Sequence, residues 1–183
     1  MKAKARDIDP RKLDVAALAK TGATLEGAWP VAGFGRLTDL LSGPPAGDVR
    51  WQVQVTERPQ RSGAPRIQLS LRASGRLDLT CQRCLQACAH EVGLERLIHF
   101  ARDEAEAERL DAESEDDVLA LTRSLDLHDL LEDEMLLDLP LVPRHDQCPV
   151  PVNLATADVQ PAAEPAPNPF AALAALKRGG AGS

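Results

Sequence analysis

Alternating apolar and polar residues occupy the middle of the chain and predict β-strands. The alternation occurs in four stretches, at residues 49–55, 67–71, 77–81 and 92–98. A period of two places the apolar side chains on one face of a half-buried strand. The turns predicted between these strands are RPQRSGAP and ASGR, and the segment DVLAL is predicted to add one more strand. The centre of the chain is therefore predicted to be an antiparallel meander.

A helical spacing of apolar residues follows the strands and predicts an amphipathic helix. Its apolar stripe comprises Leu127, Leu130, Leu131, Met135 and Leu139. Its polar face carries Glu132, Asp133, Glu134 and Asp138. Asp126 is predicted to cap the helix, and Pro140 is predicted to end it. The helix therefore has one face that can cover the sheet.

Shorter helices are predicted near both ends of the chain. Near the start, Asp9 is predicted to cap a helix that begins at Pro10 and stops near Gly22. Near the end, residues 169–178 predict a helix at the close of a proline- and alanine-rich, flexible tail, residues 151–183. An isolated helix of about ten residues is marginal in water. The C-terminal helix is therefore expected to need a surface to fold on.

These elements predict an α+β fold, in which an antiparallel sheet is covered by an amphipathic helix. Residues 1–150 are predicted to form a single domain. The acidic segment 103–117 has few apolar residues to offset its ordering entropy, so we expect a mobile insertion that can include a helical turn. No apolar run approaches the roughly 20 residues that span a bilayer, and the first residues lack the apolar region of a signal peptide. A soluble, cytoplasmic protein without a membrane role is expected.

Charge is divided along the chain, although the net charge is only −7. Residues 50–102 contain nine arginines and four acidic residues, whereas residues 103–138 contain fifteen acidic residues and two arginines. Such a division allows different surfaces to bind partners of opposite charge. Alternatively, the charged residues serve only to keep the protein solvated. The arginines expected to contact RNA phosphate are Arg50, Arg66, Arg72, Arg76 and Arg83. The residues expected to contact a basic ribosomal or assembly protein are Glu132, Asp133 and Glu134.

The cysteines raise the question of a metal site. Cys81 and Cys84 form a Cys-x-x-Cys pair, which brings two sulfurs to the separation that a tetrahedral metal requires. The remaining zinc ligands are either His145 and Cys148, or the nearer Cys88 and His90. The alternative is that these cysteines are small buried apolar residues without a ligand. A disulfide framework is not expected in a reducing compartment.

The sequence does not indicate an enzyme. A redox Cys-x-x-Cys begins a helix after a strand, where the thiol pKa is lowered, but here the pair lies within an antiparallel pattern. The chain has no nucleophile elbow, glycine-rich phosphate loop or metalloprotease helix. With no tyrosine, and only Trp51 among the arginine-rich strands, base stacking is not expected. We predict a binding protein without a small-molecule substrate.

Three stretches, in order, carry a resemblance to a known family. They are CQRCLQAC at residues 81–88, DLHDLLEDEMLLDLPLVPRHDQC at residues 126–148 and NPFAALAALKR at residues 168–178. From about Leu77 to its end the chain resembles the bacterial large ribosomal RNA subunit accumulation protein family, YceD, which has relatives in plant plastids. Some relatives carry a second cysteine pair where this chain has only Cys148 with His145 beside it, so an inherited metal site would be altered here.

The resemblance implies a non-enzymatic ribosome-biogenesis factor. It implies support of the synthesis, processing or stability of 23S rRNA, with large-subunit rRNA, a pre-ribosomal particle or a basic assembly protein as the partner. The alternative function is a zinc-stabilised adaptor without a ribosomal role. Stoichiometric metal in the purified protein would favour a zinc site, and crosslinking to ribosomal RNA would favour the ribosomal role.

Overall fold

A five-stranded sheet forms the centre of the protein, as seen in a computed structural model that describes residues 8–59 and 65–149. The strands are β1 (Thr24–Pro30), β2 (Asp48–Arg58), β3 (Arg66–Thr80), β4 (Ala87–Ala101) and β5 (Asp117–Ala120), and they lie in chain order. The first four pair antiparallel, and β5 pairs parallel with β4. The predicted α+β fold is confirmed, although the last strand departs from a pure meander.

Within the described residues, four α-helices accompany the sheet. They are α1 (Val15–Thr21), α2 (Gly35–Thr38), α3 (Glu104–Asp111) and α4 (Leu127–Asp138), with a 3₁₀ turn at Val31–Gly33. Residues of α1, α2 and α4 share one apolar core with a single face of the sheet. In the described ranges, the alternate strand residues on the other face are mostly exposed. No helix of the described residues is long and apolar enough to cross a membrane.

Gly27 and Gly75 lie inside β-strands, each next to a side chain of β2. Strand β1 was not among the predicted strands, and within it Gly27 pairs with Trp51 of β2. A Cβ on Gly27 would lie 2.6 Å from Cζ2 of Trp51, so this glycine makes room for the indole inside a strand. The predicted turn at ASGR is likewise wrong, because β3 continues through it. A Cβ on Gly75 would lie 3.3 Å from Cγ2 of Val49 on the neighbouring strand.

The N-terminal helix begins later than predicted. Asp9 does not cap it, since the Asp9 carboxylate accepts a hydrogen bond from the Arg11 N–H at 2.9 Å in a preceding turn. Leu13 then exchanges two backbone hydrogen bonds with Leu125, which keeps the chain extended. Asp14 caps α1 by accepting from the Ala17 N–H at 2.8 Å. The predicted stop near Gly22 is confirmed, because Gly22 takes a left-handed conformation with φ of 60°.

The acidic segment 103–117 contains the eight-residue helix α3, which is longer than the helical turn allowed for in the prediction. Asp103 caps this helix by accepting from the Glu106 N–H at 2.9 Å. Ala107 packs with Ala101 and Val118 in a small cluster outside the main core. The helix also supplies the crossover that a parallel pairing of β4 and β5 requires. The predicted mobility of the segment stays a prediction.

Helix α4 agrees with the sequence pattern. Asp126 accepts hydrogen bonds from the backbone N–H groups of His128 and Asp129, at 2.9 and 3.2 Å, and the helix ends at Asp138. Leu127, Leu131 and Met135 are fully buried against the sheet. The predicted tail 151–183, its helix 169–178 and the domain boundary near residue 150 lie outside the described residues and stay predictions.

Helix α4 also carries a buried histidine into an aromatic cluster. The ring of His128 stacks on Phe34 with a centroid distance of 4.3 Å, and its centroid lies 5.0 Å from that of Trp29. Nδ1 of His128 has no hydrogen-bond partner among the described residues. Burial, aided by the charge of Arg11, lowers the pKa of His128, and the carboxylates of Asp126, Glu132 and Asp129 oppose this only in part. The folded state therefore favours the neutral imidazole.

The lowered pKa of His128 predicts a loss of stability in mild acid. Below the ordinary histidine pKa of about 6.5, the unfolded chain takes up a proton at His128 that the folded chain does not yet bind, so the unfolding free energy falls as pH falls. His128→Phe should reduce this slope. Urea unfolding of both proteins between pH 7.5 and pH 5 checks the prediction, and equal slopes would contradict it. If acid also removes a bound metal, that loss affects both proteins alike and cancels in the comparison.

Candidate metal centre

The turn between β3 and β4 brings two thiols together. The Cys81 N–H donates to the Gln86 carbonyl, and the Leu85 N–H donates to the Cys81 carbonyl, both at 2.9 Å. Leu85 takes a left-handed conformation with φ of 59°, which is rare for a bulky residue. Its side chain is 72% exposed, so packing does not compensate for this conformation. The turn itself therefore holds the Cys81–Cys84 pair in a compact loop.

The chain that follows α4 returns to this hairpin tip. The Gln82 N–H donates to the Pro143 carbonyl at 2.8 Å. Nη2 of Arg83 donates to the carbonyls of His145 and Asp146, at 3.0 and 3.3 Å. These contacts place the segment 143–148, which we call the closing segment, beside the first cysteine pair.

Four side chains converge where the closing segment meets the hairpin. Ligand atoms of Cys81, Cys84, His145 and Cys148 all lie within 4.8 Å of one another. The Sγ atoms of Cys81 and Cys148 are 3.9 Å apart, and Sγ of Cys84 lies 3.5 Å from Nδ1 of His145. Tetrahedral zinc with ordinary bond lengths requires about 3.8 Å between two sulfurs and about 3.6 Å between sulfur and nitrogen. The group therefore has the spacing of a Cys3His zinc site.

The orientation of His145 fits the role of a ligand. Nε2 of His145 lies 2.9 Å from the carbonyl oxygen of Ala87, which can only accept a hydrogen bond. The proton of the neutral ring is therefore on Nε2, and the lone pair of Nδ1 points toward Cys84. A backbone carbonyl that fixes the tautomer in this way is typical of metal-binding histidines.

The local electrostatics favour a thiolate at Cys81. Burial raises the pKa of its thiol, but hydrogen bonds from the backbone N–H groups of Cys84, His145 and Arg83 oppose this, and the pKa is lowered to about 5. At Cys84 the Gln86 N–H lowers the pKa, but burial and the sulfurs of Cys148 and Cys81 raise it overall. The cluster therefore stabilises a thiolate at Cys81 and disfavours a second thiolate at Cys84 unless a cation is bound.

The nearer candidate ligands Cys88 and His90 lie outside the convergent group. Cys88 lies on β4 opposite Leu79, is buried, and is not part of the convergent group. His90 lies opposite Leu77 and is also outside the group. Of the two ligand pairs that the sequence left open, His145 and Cys148 are the ones that converge. The pair at Cys81 and Cys84 lies at a hairpin tip, not at the start of a helix, so the redox arrangement is absent there.

The predicted RNA-binding arginines do not form a single basic surface. Four of them, Arg50, Arg66, Arg72 and Arg76, lie with Arg58 on the open face of the sheet. Five carboxylates share that face by the strand alternation: Glu26, Asp48, Asp78, Glu91 and Glu95. Arg72 pairs with Glu95 at 2.6 Å and Arg76 with Asp78 at 3.8 Å. The face is charged but balanced, so the expected separation into basic and acidic territories does not hold there.

Arg83 stands apart from the other predicted arginines. Its Nε lies 3.0 Å from Sγ of Cys148, at the edge of the thiol cluster. Its contacts are with the closing segment, and the strand alternation does not place it on the open face.

The predicted acidic docking face of α4 is also altered by the fold. Glu132 and Glu134 are buried and accept hydrogen bonds within the domain. Glu132 accepts from Nε of Arg36 at 3.2 Å and from the Leu37 N–H at 3.1 Å. Glu134 accepts from Nε of Arg96 at 2.8 Å. These two carboxylates therefore tie α4 to α2 and β4.

Asp133 alone of the three predicted acidic residues is exposed, and it pairs with Arg36. No local pattern signals these arginine partners, because Arg36 lies 96 residues before Glu132 and Arg96 lies 38 residues before Glu134.

A shallow concavity of about 700 Å³ crosses the open face of the sheet. The small residues Ala28, Ser74 and Gly93 lie beside Arg50 along one row of neighbouring strand positions. Side chains this short leave the Arg50 guanidinium accessible. The concavity is open and wide, which suits contact with a macromolecular surface better than enclosure of a small molecule.

Comparison with known proteins identifies the family. No solved structure matches the chain. The family model described as large ribosomal RNA subunit accumulation protein YceD matches residues 69–177, which is more than half of the chain. The match contains all four residues of the convergent group, together with β4 and α4. The chain therefore belongs to the YceD family of large ribosomal RNA subunit accumulation proteins.

Proposed function

We propose that this protein is a non-catalytic factor that supports accumulation of large-subunit rRNA by binding a precursor of the large ribosomal subunit. The family match over residues 69–177 is the observation that carries the proposal. That match also favours a ribosomal role over an adaptor that acts elsewhere. The family description refers to accumulation of the RNA, which requires that the RNA be made, matured or protected. A factor that binds the precursor can support maturation or protection.

Zinc is proposed as the structural cofactor of the hairpin end. Three cysteines and one histidine could supply all four ligands of a closed tetrahedral site, which would leave no position for a substrate or a reactive water. Such sites stabilise folds, and catalytic zinc sites usually keep one position open. The zinc proposal therefore agrees with a binding protein and does not imply an enzymatic step.

The open face of the sheet is proposed as the surface that contacts the precursor. Arg50 lies in the concavity beside short side chains and can reach an RNA phosphate or an acidic protein group. The nearby carboxylates Glu26 and Glu95 would repel naked RNA, so a particle that presents both RNA and basic protein suits this face better than RNA alone. Arg72 lines the same concavity, where it pairs with Glu95, and Arg66 and Arg76 would contribute farther along the same face.

A complementation experiment tests this proposal. In cells that lack the gene, we expect the wild-type protein to restore the ratio of large-subunit to small-subunit rRNA and to sediment with large-subunit precursors. Arg50→Glu should fail in both measurements because it reverses the charge in the concavity. Arg123→Glu is the matched control, since Arg123 is exposed but lies in the loop between β5 and α4, outside the sheet.

Two outcomes would overturn the proposal at different levels. An unchanged rRNA ratio on loss of the gene would contradict the ribosomal role itself. Full rescue by Arg50→Glu would leave the ribosomal role intact but would contradict the assignment of the open face. Crosslinking in cells, followed by identification of RNA and protein adducts, then shows which surface contacts the precursor.

A further inference from the structure

The side chain of Arg83 links the two halves of the metal centre. Arg83 lies between Cys81 and Cys84 in the chain, so its backbone belongs to the first ligand pair. Its guanidinium reaches across to the second pair: Nε lies 3.0 Å from Sγ of Cys148, and Nη2 donates to the carbonyls of His145 and Asp146. One side chain thus contacts a ligand sulfur and the backbone on which both distal ligands are carried.

We infer that Arg83 is a positioning residue of the zinc site, which holds the closing segment in place so that Cys148 completes the ligand set. The inference rests on the proposed zinc site and deepens it. It also reassigns a residue that the sequence pattern indicated for RNA phosphate. The Nε and Nη2 groups are directed at the closing segment, so they are not free to bind a phosphate.

The charge of the site gives Arg83 a second task. Zn²⁺ bound by three thiolates and one neutral imidazole has a net charge of −1. The guanidinium next to Cys148 supplies a compensating positive charge. An N–H donor to a ligand sulfur also orients that sulfur, and the loss of such an outer contact typically costs about 10–100-fold in metal affinity.

The geometry requires arginine and not only a positive charge. The planar guanidinium places Nε and Nη2 in a fixed fork, so that one side chain contacts Cys148 and His145 at the same time. A lysine at this position has the charge but only one nitrogen, which cannot hold both contacts in the same geometry. Replacement of Arg83 by lysine therefore tests positioning separately from charge, because it keeps the positive charge but loses the two-nitrogen geometry.

Zinc competition against a chromophoric chelator tests the inference on the full-length protein. We expect Arg83→Gln to weaken zinc affinity by about 10–100-fold, and Arg83→Lys to lie between Arg83→Gln and the wild type. Arg76→Gln is the matched control: Arg76 is an exposed arginine near the end of β3 that pairs with Asp78, away from the thiols, and its loss should change the affinity less than twofold.

A cobalt-substituted sample provides a second measurement. Co²⁺ bound by three thiolates shows an intense thiolate-to-metal charge-transfer band, so weaker engagement of Cys148 in Arg83→Gln should reduce that band at equal cobalt loading. Far-UV circular dichroism checks that the variant is folded, which is expected because the Arg83 side chain is exposed.

The outcomes separate this inference from the proposed function. Equal zinc affinity and equal cobalt spectra for the wild type and Arg83→Gln would overturn the positioning role and leave the zinc site standing. Failure of the wild-type protein itself to bind zinc would overturn the zinc site, and this inference with it.

Discussion

Replacing both Cys81 and Cys84 with serine is expected to abolish stoichiometric zinc binding and to lower the melting temperature of the protein markedly. The double substitution removes two of the four convergent ligands, and the hydroxyl of serine does not replace a thiolate. Apparent zinc-binding free energies in structural sites are about 10–16 kcal/mol. Because zinc binds the folded site, loss of even part of that free energy shifts the unfolding equilibrium strongly.

Cys88→Ser is the matched control for this experiment. Cys88 is a buried cysteine of the same hairpin but is not part of the convergent group. Elemental analysis of freshly purified protein should find zinc in the wild type and Cys88→Ser, and none in the double variant. Thermal unfolding with and without a chelator should show a chelator effect only in the two proteins that hold zinc. Retention of zinc by the double variant would contradict the assignment of the ligands.

Leu131→Ala is expected to destabilise the domain by about 2–5 kcal/mol. Leu131 is fully buried at the middle of α4, where it shares the main core with the inward-facing residues of the sheet. The truncation removes apolar contacts and leaves a cavity between helix and sheet that close packing cannot easily fill. Urea unfolding monitored by circular dichroism measures the difference.

Leu137→Ala tests whether the effect belongs to the buried face of α4. Leu137 is in the same helix but is 76% exposed, so its truncation should change the unfolding free energy by less than about 0.5 kcal/mol. A similar loss in both variants would mean that α4 does not pack with Leu131 inward. Both variants replace leucine with alanine in the same helix. The effect on helix propensity is therefore similar in both and cancels in the comparison.

Those parts of the fold that depend on local pattern could be predicted from the sequence. Helix α4 combines an apolar stripe with a cap at Asp126, and both signals lie within its own residues. Strands β2 and β4 show period-two alternation, which indicates a half-buried strand without knowledge of its neighbours. The N-terminal helix was found as well, but its start was misplaced, because the pairing of Leu13 with Leu125 is a contact between distant residues.

The parts that failed depend on tertiary neighbours. Gly27 and Gly75 resemble breaks in the chain, yet each makes room for a side chain of β2. Glu132 and Glu134 resemble a solvated acidic face, yet each meets an arginine from a remote segment. The parallel direction of β5 depends on the crossover through α3, whose acidic sequence suggested little structure.

The proposed metal centre also combines a part that the sequence predicts and a part that depends on tertiary contacts. The pair at Cys81 and Cys84 was a local motif, and the spacing alone marked it as half of a site. The choice of His145 and Cys148 over nearer candidates required the return of the chain after α4, which no periodicity predicts. The contact between Arg83 and Cys148 spans 65 residues and had no signal in the sequence.

The two ligand pairs also define a closed loop of the polypeptide. Between Cys84 and His145 the chain forms β4, α3, β5 and α4 and then returns to the hairpin tip. The entropy of closing a loop grows only with the logarithm of its length, so doubling the loop costs about 0.6 kcal/mol. Insertions in the exposed loop after α3, which lengthen this loop without removing the crossover between β4 and β5, should therefore have little effect on metal binding.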